Sequence, residues 1–140
     1  MKKIYFLICV LFIVCSCAYT NTMHYMQMDK NDKTISLEPG ALASIYGKLN
    51  STLRKNGFTV YVKNKSKDIG YVSTKSRYEL LVTGTPVDLC LVGGTKFNYV
   101  ISIVDLKEWQ EVFVMEGEEC SNSIVPKFEK ELKKSLLNTK

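Results

Sequence analysis

Histidine is scarce in this 140-residue chain, which holds a single one, His24, near its amino end. Proton transfer and nucleophile activation in enzymes most often use a positioned imidazole, so Ser-His and Cys-His pairs are poorly supported. No Cys-x-x-Cys pair occurs either, which argues against a zinc site. The segment Gly93-Gly94-Thr95-Lys96 lacks the full spacing of a phosphate loop and predicts a hairpin turn instead.

Two weaker chemical patterns remain. Glu116, Glu118 and Glu119 place paired carboxylates on one strand, as a glycosidase would, but a solvated strand end explains them better. Three methionines near His24 are soft copper ligands, yet their irregular spacing favours gap-filling or chance; they are Met23, Met26 and Met28. We therefore predict a protein that is not an enzyme, with no metal and no cofactor.

A long apolar run is also missing. The run from Ile4 to Val14 is too short to cross a bilayer as a helix, which needs about 20 residues. It follows Met1-Lys2-Lys3 and is followed by small residues, the pattern of a secretory signal peptide.

Val14-Cys15-Ser16-Cys17 resembles a bacterial lipobox. The resemblance implies a lipoprotein signal peptide over residues 1–16, cleavage before Cys17, and a diacylglyceryl group, with palmitate-type chains, on the Cys17 sulfur. Cys15 would leave with the signal. Ala18 in place of aspartate implies the outer membrane, with the rest of the chain facing the periplasm. Ordinary cleavage after Ser16-Cys17-Ala18 and a retained membrane anchor are the competing interpretations.

Two cysteines, Cys90 and Cys120, remain outside this segment. An even pair in an exported chain predicts a disulfide. Closing a loop of 30 residues would contribute roughly 3–4 kcal/mol in the chain-entropy model. Two unpaired buried thiols are the alternative, because Cys90 lies in an apolar run.

Charge is unevenly distributed along the chain. Residues 44–77 hold eight Lys or Arg against one acid, while residues 78–121 hold two lysines against eight acids. Such halves would give the domain a directional field that orients it against a charged partner, unless the signs are scattered over the folded surface. Nucleic acid is not expected as a partner of an exported domain.

The remaining patterns predict the elements of one domain. Residues 17–37 are polar and predict a tether, with a possible short edge strand at Thr34–Leu37. Apolar stripes predict a helix from Leu42 to Leu53 before Gly57, and a second helix from Asn122 or Ser123 onward, with Pro126 in its first turn. Strand patterns lie between them, at 58–62, 78–92, 96–106 and 112–115, with Trp109 packed at the last turn.

Because each helix has one apolar stripe, both are expected on one face of the sheet. The prediction is an α+β fold over residues 38–140, a two-layer sandwich with a mainly antiparallel sheet.

The segments GFTVYV, YELLVTGT, SIVDL and EVFVMEG, within residues 40–137, resemble small envelope lipoprotein domains. These are the penicillin-binding-protein activators and the amino-terminal domain of TolB. The resemblance implies a non-catalytic domain that binds a partner, and it carries over no functional residue.

We therefore expect an adaptor in the cell envelope, held to the membrane by its lipid and bound to an envelope protein or to peptidoglycan. A carrier of a small lipid-like ligand, held between helices and sheet, is the first alternative. An envelope hydrolase is the second.

Overall fold

The computed structural model of the chain describes residues 19–24, 28–38, 42–63, 75–91 and 93–137. The described part contains six strands in one sheet, in the order β1-β6-β5-β4-β2-β3, and two helices. The elements are β1 (Tyr19–His24), β2 (Thr34–Leu37), α1 (Ala43–Lys55), β3 (Thr59–Val62), β4 (Tyr78–Leu89), β5 (Thr95–Asp105), β6 (Gln110–Cys120) and α2 (Ser121–Leu137). The predicted α+β sandwich is confirmed.

The centre of the sheet is an antiparallel ladder of three long strands. β5 pairs with β4 on one side and with β6 on the other, over nearly its whole length. Alternate residues of β5, Tyr99, Ile101 and Ile103, are fully buried and belong to the core cluster. Because side chains alternate between the faces of a strand, these three residues define the face that the helices cover.

Helix α1 ends where the sequence predicts. Gly57 has φ +85°, a left-handed conformation that glycine adopts without steric cost. Its N–H donates to Arg54 O at 3.0 Å, and the Phe58 N–H donates to Leu53 O at 3.1 Å, the two bonds of a Schellman motif. Phe58 is buried and turns the chain into β3. The buried stripe of the helix is Ile45, Leu49 and Leu53.

Helix α2 begins at Ser121, directly after the last residue of β6. Its apolar stripe faces the sheet, and the Phe128 ring lies edge-on to Phe113 of β6 with centroids 5.7 Å apart. The early start corrects one prediction. Asn122 and Ser123 lie inside the helix instead of capping it, and Pro126 falls in the second turn.

The prediction of a tether over residues 17–37 is wrong for the residues described. Tyr19–His24 pairs with β6 as an edge strand, and Met28 is buried in the core. A six-residue edge strand needs little apolar surface of its own because its backbone bonds to one neighbour supply the docking. The polar sequence YTNTMH therefore forms a strand without the apolar alternation that predicts one. The signal segment 1–16 and Cys17 lie outside the described residues.

The sequence predicts β2 at the edge of the sheet, but the strand lies between β3 and β4 and runs parallel to both. Ile35, Ser36 and Leu37 are all buried, as expected for a strand covered on both faces. The domain therefore begins well before residue 38.

The prediction that Trp109 packs at the turn after β5 is wrong. Its side chain is 80% exposed, and its φ of 55° is left-handed, which is uncommon for a bulky residue. The predicted packing fails because the turn directs this side chain into solvent.

The docking of β1 depends on Gly117. A Cβ at this position would lie 2.2 Å from Tyr19 O and 3.0 Å from Thr20 Cα, both backbone atoms of β1. We expect Gly117→Ala to displace β1 and to lower the free energy of unfolding by roughly 2 kcal/mol or more, measured by urea denaturation.

The matched control is Gly47→Ala in α1, where an added Cβ meets no atom within 4 Å. This exchange is expected to raise the free energy of unfolding by about 0.5–1 kcal/mol, through helix propensity alone. Equal effects of the two variants would contradict the proposed close approach.

Candidate functional site

Cys90 and Cys120 are bonded in the structure, with Cα atoms 6.1 Å apart. The bond joins the residue after β4 to the last residue of β6, across the end of the central ladder. It encloses the turn between β4 and β5 and holds that turn against the start of α2.

The turn between β4 and β5 forms the tip of a long hairpin. Gly93 and Gly94 have φ of 84° and 95°, as predicted for a glycine turn. The Cys90 N–H donates to Gly94 O, and the Gly93 N–H donates to Cys90 O, both at 3.0 Å. Large apolar side chains next to this turn are nevertheless exposed, namely Val87, Leu89 and Leu91.

The three glutamates that suggested paired carboxylates face different neighbours. The register of β6 puts Glu116 and Glu118 on the sheet face away from the helices, and Glu119 on the helix face. Glu118 binds Lys96 at 2.5 Å, and Glu116 accepts a hydrogen bond from Asn21 at 3.5 Å. Both contacts join neighbouring strands.

Glu119 belongs to a polar cluster between β1 and α2. Its carboxylate is buried and forms an ion pair with Lys127, whose side chain is partly exposed. Thr20 donates to Glu119 Oε1 at 3.1 Å and accepts from Lys127 Nζ at 3.3 Å. The Thr20 hydroxyl also lies 3.3 Å from the Tyr99 hydroxyl, and burial raises the pKa of Tyr99.

A groove of about 220 Å³ opens beside this cluster, lined by Thr20, Thr22, Lys127, Lys130 and Glu131. Pockets for drug-sized ligands are usually about 300–1,000 Å³ and mainly apolar. This groove is smaller, its lining side chains are polar, and the Lys127 ammonium already faces the Glu119 carboxylate. The cluster therefore acts first as a buried attachment of β1 to α2. Sequence reasoning missed it because Thr20 is 99 residues from Glu119.

A second polar cluster is centred on Arg77, at the other end of the sheet. Its guanidinium binds Asp105 at 3.1 Å and Asp29 at 2.5 Å. The Asp29 N–H donates to the Tyr78 hydroxyl at 2.7 Å. Asp105 in turn accepts the backbone N–H of Lys107 at 2.9 Å, so the cluster fixes the segment before β2 and the turn after β5.

Two pKa values in this second cluster are displaced. The Asn31 N–H, and then the charge of Arg77, hold the pKa of Asp29 below its ordinary value. Burial raises the pKa of Tyr78. Both displacements favour the protonation state that each group has at neutral pH.

The basic and acidic halves of the sequence meet each other in space. Lys63 pairs with Glu79 and Arg77 with Asp105, so each ion pair joins one half to the other. These contacts favour the scattered-charge alternative over a directional field.

The metal hypothesis rested on His24 and three methionines. Met28 is buried in the core, while Met26 and the His24 side chain lie outside what the structure describes. Across the described ranges, no group of three or more His, Cys, Asp or Glu side chains is arranged to hold a metal ion. The helices of the described part are too short or too polar to cross a membrane.

The low pKa of Asp29 predicts an acid-dependent loss of stability. A carboxyl group whose pKa is lowered by folding stabilises the native state above its ordinary pKa, near 3.8, and this contribution disappears as the pH falls through the folded value. In Asp29→Asn, the loss of unfolding free energy relative to wild type should be largest at pH 7 and shrink toward pH 2, measured by urea denaturation. A difference that stays constant with pH would contradict the ionic origin.

No family model matches the chain, and no curated protein matches it. Among solved structures, the chain is similar to the PelC dodecamer from Paraburkholderia phytofirmans, at 14% identity and a TM-score of 0.59 over 89% of this chain and 100% of that one. A point variant of the PelC dodecamer in a second crystal form gives 14% identity and a TM-score of 0.57, over 86% and 98%. At this identity, the similarity shows a shared fold.

Proposed function

We propose that the chain is a lipoprotein of the bacterial cell envelope whose domain binds another envelope component without catalysing a reaction. Cys17 would carry the lipid in the outer membrane, and the domain would face the periplasm. The observation that carries the proposal is the lipobox-like segment, which ends at Cys17, two residues before β1. The disulfide between Cys90 and Cys120 supports it, because disulfides persist in oxidising compartments such as the periplasm.

The register of the sheet gives such a domain two distinct ends. β1 begins at Tyr19, opposite Glu118, near the end of β6. The turn after β5, which holds Trp109, lies at the other end of the same ladder. With a rise of about 3.3 Å per residue, the seven residues from Asn98, in the row of Glu118, to Asp105 at the end of β5 separate these ends by about 23 Å. A lipid on Cys17 would therefore direct Trp109 away from the membrane.

We assign Trp109 to the surface that contacts the partner. Tryptophan is enriched at the centres of protein interfaces. Here the side chain is 80% exposed on a backbone with positive φ, a conformation that costs an L-residue roughly 1–2 kcal/mol. Strain at an exposed aromatic residue is a feature of binding sites. The partner would be an envelope protein or peptidoglycan.

The small-ligand carrier has less support. The groove between β1 and α2 is small and polar, which does not suit a lipid-like cargo. Self-association is a separate possibility, since the two similar PelC structures are dodecamers. Light scattering of the purified protein measures it directly.

The anchor is tested by Cys17→Ala. We expect this variant to move from the membrane fraction to the soluble periplasmic fraction, because each buried acyl methylene contributes about 0.8 kcal/mol to membrane binding. Cys15→Ala is the matched control and should leave the protein in the membrane fraction, with the same lipidated mass as wild type. Unchanged fractionation of Cys17→Ala would remove the anchor from the proposal.

The partner surface is tested by placing a photoreactive aromatic residue at Trp109 in living cells. A discrete crosslinked product is expected, identified by mass spectrometry as a protein or a peptidoglycan fragment. The same residue placed at Lys133, exposed on α2, is the control and should not give that product. The same product from both positions, or none from Trp109, would contradict the assignment.

A further inference from the structure

The tip of the β4–β5 hairpin exposes more apolar surface than a turn in water ordinarily does. Leu91 is 97% exposed and Leu89 is 79% exposed, with Val87 close to them at 48%. Turns are usually built from small and polar residues. Clustered apolar side chains on a surface are typical of contact with a partner or a membrane.

The tip is tied to the neighbouring strand by a disulfide. Cys90 lies between the two leucines and is bonded to Cys120 of the neighbouring β6. Two backbone hydrogen bonds close the loop that contains Leu91. They join Cys90 to Gly93 and to Gly94. The disulfide and these hydrogen bonds therefore tie the segment that carries both leucines to the end of β6.

The strand register places this tip at the same end of the sheet as Cys17. Tyr19 of β1 pairs with Glu118, and Cys120, two residues further along β6, pairs with Lys96 of β5. One residue beyond that row, Thr95 pairs with Leu89. The hairpin therefore extends past Tyr19, the first described residue of β1, by three residues along the strand direction.

Covalent geometry limits how far Cys17 lies from this tip. Two peptide units between Cys17 and Tyr19 span at most about 7 Å. Leu89 lies three residues, or about 10 Å, past the row of Tyr19 along the strand direction. A bilayer that receives acyl chains on Cys17 would therefore meet the hairpin tip.

From this placement we propose that the hairpin tip inserts Leu89 and Leu91 into the membrane surface, as a second attachment beside the lipid on Cys17. The inference rests on the proposed lipid anchor and adds a defined orientation to it. A lipid alone leaves the domain free to rotate, whereas a lipid and an apolar tip at separate points hold the long axis of the sheet upright.

The charges around the tip indicate how it binds. Lys96 pairs with Glu118, and Lys127 pairs with Glu119, so the lysines at this end face carboxylates. Attraction to anionic headgroups is therefore a small contribution, and burial of apolar side chains supplies the binding. Insertion should occur in uncharged phosphatidylcholine and should withstand salt.

The experiment uses the single tryptophan of the chain, Trp109, which lies at the opposite end of the sheet. The full-length protein, purified from membranes, is reconstituted in phosphatidylcholine vesicles with brominated acyl chains, which quench nearby tryptophan. The double variant Trp109→Phe with Leu91→Trp is expected to emit at shorter wavelength and to be quenched at least about twofold, as a side chain at the membrane interface would be. Wild type, with only Trp109, is the matched control and should not be quenched.

Each outcome shows whether the tip lies in the membrane, in water or against protein. Unquenched emission at long wavelength would overturn the inference, because the tip would then be in water. A shift to shorter wavelength without quenching would also overturn it, since the tip would be buried against protein. The variant Leu89→Trp, also with Trp109→Phe, repeats the measurement at a second position. The mass of the same samples reports lipidation of Cys17, so failure of the anchor is read separately from failure of the tip to insert.

Discussion

The register between β5 and its two neighbours is the constraint on which the rest of the structure depends. It puts Tyr99, Ile101 and Ile103 on the face that both helices cover. A shift by one residue would turn these side chains to the opposite face. The same register brings Cys120 into the row of Lys96, next to the tip that holds Cys90, and sets the turn with Trp109 at the other end.

Polar contacts fix the segment before β2 and the edge strand β1 in addition to the apolar core. The Arg77 cluster fixes the segment before β2, and the Glu119 cluster joins β1 to α2. Each cluster lies at the margin of the sheet, where a buried carboxylate is matched by a cation and by hydrogen-bond donors. Removing one partner would leave a charge without compensation, which costs more than the pair contributes.

The sequence predicts those elements whose signal is local. The helix that ends at Gly57 and the turn at Gly93-Gly94 follow from periodicity and from glycine geometry, and the structure places both as expected. β1 and β2 differ from the prediction for opposite reasons. β1 is an edge strand whose polar side chains give no apolar pattern. β2 alternates polar and apolar residues, which predicts an exposed edge strand, whereas Ser36 is buried with Ile35 and Leu37.

Sequence patterns do not predict contacts between residues that are far apart in the chain. The contacts of Thr20 with Glu119, and of Asp29 with Arg77, join residues far apart in the chain, so no local signal marks them. The exposure of Trp109 likewise depends on the direction in which a turn leaves the sheet. The disulfide differs, because counting cysteines was enough to suggest Cys90 and Cys120 as partners.

The position of β1 also determines how the domain would carry a mechanical load. Tension applied at residue 17 would pull on β1 along the strand axis that it shares with its antiparallel neighbour β6, to which it is bonded over six residue pairs. In that direction the backbone hydrogen bonds between the strands are loaded together, in shear, and are not opened one after another from an end. Gly117, which lets the two backbones approach, thus lies in the joint that would take the force if the proposed lipid on Cys17 held the domain to a membrane.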